Sequence, residues 1–161
     1  MKKKKTHKTN VMRILDKENI AYQILEYAWD EDRLDAITAA ENSRKPHEKI
    51  FKTLVAVGDK TGPIVACIPS EKELDLKALA KVSGNKKVEM LPMKDLEDTT
   101  GYIRGGCSPI GMKKYFPTYI AAEAELMETM IVSAGKRGMQ VELAPNDLKS
   151  MVGTVFDDFT L

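Results

Sequence analysis

The hydrophobic positions of this chain repeat with two different periods, and the change from one to the other predicts its elements. Apolar residues fall at helical spacing in five segments, which predict helices over 10–17, 35–42, 75–82, 94–99 and 146–152. Alternating or continuous apolar runs predict strands over 22–27, 50–57, 63–68, 87–91, 119–122, 129–133 and 139–143. Residues 101–111 fit neither period.

Two pairs of these strands are close enough in sequence to form β-hairpins. The segment GDKTG at 58–62 separates IFKTLVAV from PIVACI, and the loop 134–138 separates the last two strands. Hairpins mixed with single helices, without a regular strand–helix alternation, indicate one α/β (α+β) domain built on a mixed sheet. We expect this domain to span residues 9–161, after a disordered basic tail at residues 1–8.

Length and composition agree with one soluble domain. The chain has 161 residues and a mass of 18.0 kDa, and hydrophobic residues make up 43% of it, which allows a substantial core. No apolar run approaches the roughly 20 residues of a membrane-spanning helix. No apolar segment follows the basic N-terminus, which argues against a secretory signal and for a cytoplasmic protein.

The cysteines and histidines offer few ligands for metal chemistry. Cys67 and Cys107 lack CxxC spacing, and Cys67 lies in an apolar run that predicts a buried thiol in a reducing compartment. The only histidines are His7 and His47, so a zinc site would have few nitrogen ligands. We therefore predict neither a metal nor another cofactor.

The charge balance limits how this chain can bind nucleic acid. Its net charge of +1 and pI near 7.7 exclude a protein that holds RNA or DNA by charge alone. Any RNA contact should come from a local basic rim around a pocket, and we do not expect DNA or a membrane as a partner. The residues that we assign to this rim are Lys113, Lys114, Lys136 and Arg137.

Lys52 is unusual because it interrupts an apolar strand. In IFKTLVAV, Lys52, Leu54 and Ala56 point to one side and the residues between them to the other, and both sides are largely apolar. A lysine in such a strand costs free energy unless it opens into a polar pocket. Two interpretations stay open: a pocket lysine, or a lysine at the strand end whose ammonium reaches solvent.

The segment GGCSPIG at 105–111 contains three glycines. It lets the backbone approach a ligand closely, with N–H groups directed at an anion or a carbonyl oxygen. The segment does not end in GK[ST], so it is not a Walker loop. The G-x-S-x-G motif of a nucleophile elbow would need a glycine two residues after Ser108, and this chain lacks it there. The residues alone favour a tight structural turn, with Cys107 as a further candidate nucleophile.

The segment SAGKRG at 133–138 places a basic pair between two glycines. This arrangement suits contact with a phosphate, and a hairpin loop with solvated charges is the simpler alternative. Taken together, these features indicate a glycine-lined pocket bordered by basic residues and one strand lysine. They build neither a catalytic triad nor a metal centre.

Three motifs, in this order, resemble those of the YbaK/EbsC family. They are FKTL at 51–54, TGYIRGGCSPIG with the KK after it at 100–114, and VSAGKRGMQVEL at 132–143. LDLKALAK and KKVEML between them are also similar, so that the resemblance runs from residue 11 to residue 159. It is strongest to the bacterial Cys-tRNA(Pro) deacylases, whose domain is also inserted in many prolyl-tRNA synthetases. It implies a mixed sheet curled toward a barrel, with helices packed outside.

The resemblance also implies the residues of a site. The essential lysine of the family falls on Lys52, the glycine that lines the pocket on Gly106, and the pocket serine on Ser133. Some members have aspartate where this chain has Gln140, so a charged role is lost there, although an amide can still bond the amine or ribose of the substrate. The other residues expected to bind substrate are Gly105, Ser108 and Gly135.

The implied activity is the removal of cysteine that prolyl-tRNA synthetase has wrongly attached to tRNA(Pro). In the mechanism proposed for the family, the thiol of the substrate attacks its own ester carbonyl. The implied partners are the acceptor end of the mischarged tRNA and the synthetase. Two alternatives stay open: a deacylase of another small amino acid, such as alanine, that uses water, and a non-catalytic module that binds acceptor ends or a synthetase.

Overall fold

The computed structural model describes residues 8–29, 47–154 and 156–161, which contain four α-helices and eight strands. The helices are α1 (Asn10–Lys17), α2 (Leu76–Ser83), α3 (Leu96–Thr100) and α4 (Pro145–Val152). The strands are β1 (Tyr22–Glu26), β2 (Phe51–Gly58), β3 (Gly62–Pro69), β4 (Val88–Met90), β5 (Thr118–Ala121), β6 (Met130–Lys136), β7 (Met139–Leu143) and β8 (Phe156–Asp157). Short 3₁₀ turns lie at His47–Lys49, Met93–Asp95 and Ala122–Leu126.

The strands form two sheets. The larger has the order β4-β2-β3-β5-β8, and the smaller has the order β1-β7-β6. Antiparallel hairpins join β2 to β3 and β6 to β7, as the glycine-containing turns predict. The pairs β3–β5 and β5–β8 are parallel, so the predicted mixed sheet is confirmed.

In the described part of the chain, an isolated parallel bridge between Ile50 and Ile131 joins the two sheets. Ile50 directly precedes β2, and Ile131 lies within β6, so the small sheet joins the large sheet at the N-terminal end of β2. The assembly is curled but does not close into a barrel. The prediction of a mixed α/β domain curled toward a barrel is confirmed in this looser sense.

The helices begin and end where the sequence provides caps. The Thr9 Oγ1 accepts a hydrogen bond from the Met12 N–H at 3.3 Å, and the Asp75 Oδ1 accepts one from the Ala78 N–H at 3.1 Å. Each satisfies a backbone donor that the first turn of a helix leaves free. Gly84 caps the C-terminal end of helix α2, and its φ of +77° is the left-handed conformation that glycine adopts without strain.

The hydrophobic core lies between the inner faces of the two sheets and α1. Phe51 and Val55 face it from β2, Val132 from β6 and Val141 from β7, and all four are at least 95% buried. Strand β3 is buried from Ile64 to its end, because both faces of the large sheet are covered. Among the described residues, no helix has the length and apolar character needed to cross a membrane.

Several element boundaries differ from the prediction. The predicted helix at 94–99 is a 3₁₀ turn followed by α3, and β8 and the turn Ala122–Leu126 were not predicted. Strand β6 continues to Lys136 instead of ending at Ser133, because a bulge between those residues absorbs part of the predicted loop. The predicted helix at 35–42 and residues 1–7 of the predicted tail lie outside the described residues.

Asn85 ties the β2–β3 turn to the end of α2. Its Oδ1 accepts hydrogen bonds from the N–H groups of Lys60 and Thr61, at 2.9 and 3.1 Å. Its Nδ2 donates to the Oγ1 of Thr61 at 3.0 Å and to the Oγ of Ser83 at 2.8 Å. The amide lies directly over Gly58, where a Cβ would overlap it. Four hydrogen bonds therefore depend on one buried side chain.

Replacing Asn85 should weaken the fold without touching the polar groups of β6 and β7. We expect Asn85→Ala to lower the free energy of unfolding by roughly 2–3 kcal/mol, because it leaves turn N–H groups without their acceptor. Urea unfolding followed by circular dichroism measures this change. The neighbouring Lys86 is exposed, so Lys86→Ala should change the same quantity by less than about 0.5 kcal/mol. Equal stability of the two variants would contradict the role of the amide.

Candidate functional site

The bridge between the sheets brings Lys52 beside the β6–β7 hairpin. Ile50 and Lys52 point to the same side of the large sheet, because side chains alternate along a strand. Ile131 is the parallel partner of Ile50. Two residues further along each strand, Lys52 and Ser133 therefore lie on one face, and Gln140 is the cross-strand partner of Ser133. We call Lys52, Ser133 and Gln140 the polar row.

Lys52 is a lysine held partly out of water. The side chain is half-buried, and this burial holds the pKa of its ammonium below the usual value of 10.5, while the nearby carboxylate of Glu73 acts in the opposite direction. Partial burial is compatible with both interpretations of this lysine, a pocket residue and a strand-end residue whose ammonium reaches solvent. Sequence analysis missed Glu73, since nothing in the chain order signals that it lies near Lys52.

The hydroxyl of Ser133 shapes the bulge in β6. Its Oγ accepts a hydrogen bond from the Gly135 N–H at 3.1 Å, and its O–H hydrogen stays available for a further acceptor. Gly135 has a φ of +90°, and a Cβ there would lie 3.0 Å from the ring of Tyr102 and 3.2 Å from Val11. Gly135 therefore supports Ser133 through the backbone.

Gln140 contributes a buried acceptor to the polar row. The residue is only 4% exposed, and its Oε1 has no hydrogen-bond partner in the described part of the chain. Buried oxygens of this kind are uncommon in folded proteins, because leaving one unpaired costs about 1–3 kcal/mol. A donor supplied by a ligand would remove that cost.

The glycine loop packs backbone to backbone on the β6–β7 hairpin. A Cβ at Gly106 would lie 3.2 Å from the Arg137 nitrogen and 3.3 Å from the Lys136 carbonyl carbon. Both are backbone atoms, so a Cβ here would require the hairpin backbone to shift by a few tenths of an ångström. The Gly106 N–H donates to the Ile103 carbonyl at 3.0 Å. The Gly106 N–H is therefore already paired within the loop and is not free to bind a substrate.

Internal hydrogen bonds hold the rest of the loop. Ser108 is fully buried, and its Oγ accepts a hydrogen bond from the Ile110 N–H at 3.3 Å. The Tyr102 hydroxyl donates to the Ile110 carbonyl, and Gly105 turns the chain with a φ of +85°. Ser108 thus lies inside the loop and Gly105 at its turn, so both act on the shape of the loop.

Neither cysteine has the environment of an activated thiol. Burial raises the pKa of the Cys67 thiol to about 12, against a smaller opposing effect of the nearby Thr53 hydroxyl. Burial also raises the pKa of the Cys107 thiol to about 12, against a hydrogen bond with Thr100. Cys67 is fully buried and free, as predicted. A reactive cysteine has a lowered pKa and a cationic neighbourhood instead.

The four basic residues assigned to a rim belong to two places on the surface. Lys136 and Arg137 line a cleft at the end of the hairpin, together with Trp29. Lys114 lines a different cleft, formed by α4 and the segment after the glycine loop. The Lys113 Nζ donates to the Asp98 carbonyl at 3.3 Å. The hairpin pair is therefore the part of the rim that adjoins the polar row.

Two further observations complete the site. Trp29 was missed by sequence analysis, because a tryptophan after a strand more often signals core than an exposed surface. Among the described residues, no group of histidine, cysteine, aspartate and glutamate side chains is arranged to hold a metal ion. The arrangement can therefore offer donors, one acceptor and a cation to a polar ligand.

Comparisons with known proteins show which family the chain resembles. Residues 30–151 match the family model of the aminoacyl-tRNA editing domain. A protein of Enterococcus faecalis (strain ATCC 700802 / V583) is 60% identical over 159 residues, which cover 99% of this chain and 97% of the relative. That relative bears the name "Putative Cys-tRNA(Pro)/Cys-tRNA(Cys) deacylase EbsC".

Two solved structures share the fold. One, described as "a putative trans-editing enzyme for prolyl tRNA synthetase", has a TM-score of 0.79 at 19% identity, over 97% of this chain and 99% of the other. A hypothetical protein of solved structure has a TM-score of 0.84 at 18% identity, over 94% of this chain and 99% of the other. At these identities the likeness concerns the fold alone.

Both cysteines should react slowly with iodoacetamide in the folded protein. The thiolate is the reactive form, and a pKa of about 12 leaves a thiolate fraction on the order of 10⁻⁴ at pH 8. The rate should rise with pH up to about 12, with Cys107 ahead of the fully buried Cys67. Mass spectrometry of the alkylated peptides measures both rates.

Protein unfolded in urea is the control for this measurement. There the thiol pKa returns to about 8.5, so both cysteines should be alkylated quickly at pH 8. Rapid alkylation of Cys107 at pH 7 in the folded protein would show an activated thiolate, and would favour a nucleophilic role for this residue.

Proposed function

Because the chain belongs to the aminoacyl-tRNA editing domain family, we propose that it is a trans-editing deacylase that removes cysteine mischarged onto tRNA(Pro). The name of the 60% identical relative supports both the reaction and the substrate. The observation that carries the proposal is the polar row: a half-buried lysine, a serine hydroxyl and an amide oxygen that no described residue bonds, all on one face. Neither cysteine of the chain is an activated thiol.

The chemistry suits a site of this kind. An aminoacyl ester is already activated, so an enzyme can accelerate its cleavage by orienting the substrate and stabilising the oxyanion. The substrate thiol supplies the nucleophile: its sulfur bonds to the ester carbonyl carbon, and the bond from that carbon to the ribose oxygen breaks. The thiol proton passes to the ribose oxygen. The products are a cyclic thioester and a tRNA with its terminal hydroxyl restored.

Each member of the polar row has a role in this reaction. The ammonium of Lys52 stabilises the oxyanion that forms on the carbonyl, and the hydroxyl of Ser133 donates to the same oxygen. The Oε1 of Gln140 accepts a hydrogen bond from the α-ammonium group of the cysteine. The N–H groups after Gly106 are the remaining donors for the carbonyl, since that of Gly106 is bonded to Ile103.

The remaining site residues act on the geometry of this arrangement. Gly106 and Gly135 permit close packing around the hairpin, and Gly105 and Ser108 hold the shape of the loop. Gly106 acts by excluding a side chain from the contact between the loop and Arg137. In this proposal, all four are positioning residues of the site.

The selectivity for tRNA(Pro) comes from a partner in this proposal. A net charge of +1 leaves little excess positive charge for a long RNA footprint, so the protein holds the acceptor end and makes few contacts with the rest of the tRNA. Prolyl-tRNA synthetase keeps its own product nearby and raises its local concentration. We propose that the enzyme acts in the cytoplasm, together with the synthetase.

Replacing Lys52 should abolish most of the activity while the protein stays folded. We expect Lys52→Ala to lower kcat/KM for Cys-tRNA(Pro) by about a hundred- to a thousandfold, the usual cost of losing one oxyanion donor. Lys52→Arg should also be impaired, because the planar guanidinium is wider than an ammonium. Lys77 is exposed on α2, so Lys77→Ala should keep the wild-type rate. Wild-type turnover by folded Lys52→Ala would refute the assignment.

Substrate chemistry should decide which aminoacyl-tRNA is cleaved. We expect Cys-tRNA(Pro) to be deacylated with a cyclic thioester as the first product, detected by mass spectrometry after rapid quenching. tRNA(Pro) charged with S-methylcysteine or alanine should stay intact, because neither side chain has a thiol proton to transfer.

The same assay separates the two alternatives. Cleavage of all three substrates to free amino acids would indicate attack by water and a broader deacylase. Binding without cleavage of any of them would indicate a non-catalytic module.

A further inference from the structure

Trp29 and Arg137 form a stacked pair on the surface at the end of the β6–β7 hairpin. The guanidinium carbon of Arg137 lies 5.5 Å from the centre of the Trp29 ring, within the range of a cation–π interaction. Trp29 is 46% exposed, and it is the only tryptophan of the chain. A large aromatic ring left this open to solvent, with a cation over it, is suited to contact with another planar group.

Backbone contacts fix both members of this pair. The Arg137 Nε donates to the Arg104 carbonyl at 2.9 Å, which anchors the guanidinium to the glycine-loop segment. The edge of the Trp29 ring rests on Gly138, where a Cβ would lie 2.6 Å from the ring. The Tyr27 N–H donates to the Gly138 carbonyl at 2.9 Å and holds the chain that bears Trp29. The pair is therefore a preorganised platform.

Resting on the proposed deacylase function, we propose that this platform stacks an unpaired nucleobase of the tRNA 3′ end. The platform lines a cleft of about 530 Å³, and Lys136 and Glu26 are among the other residues that line it. Proteins that recognise single-stranded RNA stack its bases on aromatic rings and on guanidinium planes, with lysine or arginine near the phosphates. The exposed Lys136 and the Trp29–Arg137 pair provide this combination.

The position of the platform fits a substrate whose ester lies at the polar row. Ser133 and Lys136 are three residues apart on β6, a separation of at most about 10 Å at the rise of a β-strand. A nucleotide at the 3′ end can therefore reach from the polar row to the platform. The unpaired acceptor end is the part of a tRNA that offers free bases next to its aminoacyl ester.

The single tryptophan allows a direct test with uncharged RNA. A short RNA hairpin with an unpaired 3′ ACCA end should quench the fluorescence of Trp29 saturably, whereas the same hairpin with a blunt end should not. Equal quenching by both RNAs, or quenching by prolyl-tRNA synthetase without RNA, would overturn base stacking. Lys77→Ala should show the wild-type quenching, because Lys77 is exposed on α2, outside both the polar row and the platform.

Variants then separate this inference from the proposed function. Trp29→Ala should weaken binding of the ACCA hairpin, measured by calorimetry, by roughly five- to a hundredfold, the usual effect of losing one stacked base. Trp29→Tyr should recover much of the affinity, which a merely structural role of the indole would not explain. Tyr115→Ala removes an exposed aromatic side chain from the other cleft and should leave binding unchanged.

Different experimental results would refute the platform and the proposed deacylase function. Specific quenching by the ACCA end without deacylation of any charged tRNA would refute the proposed function and support the platform. Normal deacylation with no quenching, and with wild-type affinity in Trp29→Ala, would refute the platform and leave the deacylase standing.

Discussion

The arrangement of the site depends on the register of one bridge, between Ile50 and Ile131. These residues form a small hydrophobic cluster with Leu25, apart from the main core. Just before the bridge, the Lys49 Nζ donates to the buried carboxylate of Glu142 at 2.9 Å. A slip of one residue along β2 would turn Lys52 toward the main core and bury its charge among apolar side chains. The hydrophobic contact and the ion pair therefore both select the register that exposes the lysine to the hairpin.

Once this register is set, the main feature of the site is its unpaired hydrogen-bonding groups, and not a reactive side chain. The amide oxygen of Gln140 and the hydroxyl hydrogen of Ser133 can each make a hydrogen bond that the described residues do not supply. A site built in this way rejects molecules that lack the matching donor or acceptor, because its own polar groups then stay unpaired. Selectivity and catalysis can thus arise from the same few groups.

Much of the fold was predictable, because its elements depend on local patterns. Strand β7 and helix α1 have the predicted bounds, and apolar periodicity together with a threonine cap is sufficient to specify such segments. The bulge in β6 and the two-residue strand β8 depend on contacts between distant segments, which periodicity does not report. For the site, the family motifs pointed to Lys52, Ser133 and Gln140, and only the bridge shows why they share a face. Trp29 and the separation of Lys114 from the hairpin were invisible in the sequence, since exposure is a property of the folded surface.

The contact at Gly106 has a consequence for how domains of this kind change over time. The glycine loop and the hairpin are about thirty residues apart in sequence, yet their backbones touch at Gly106, Lys136 and Arg137. A change in the path of either segment alters the spacing that the other requires. The two segments should therefore be inherited as one unit, and a chimera that exchanges only one of them should lose the pocket. An engineer who wishes to transfer a substrate preference between such proteins must graft the loop and the hairpin together.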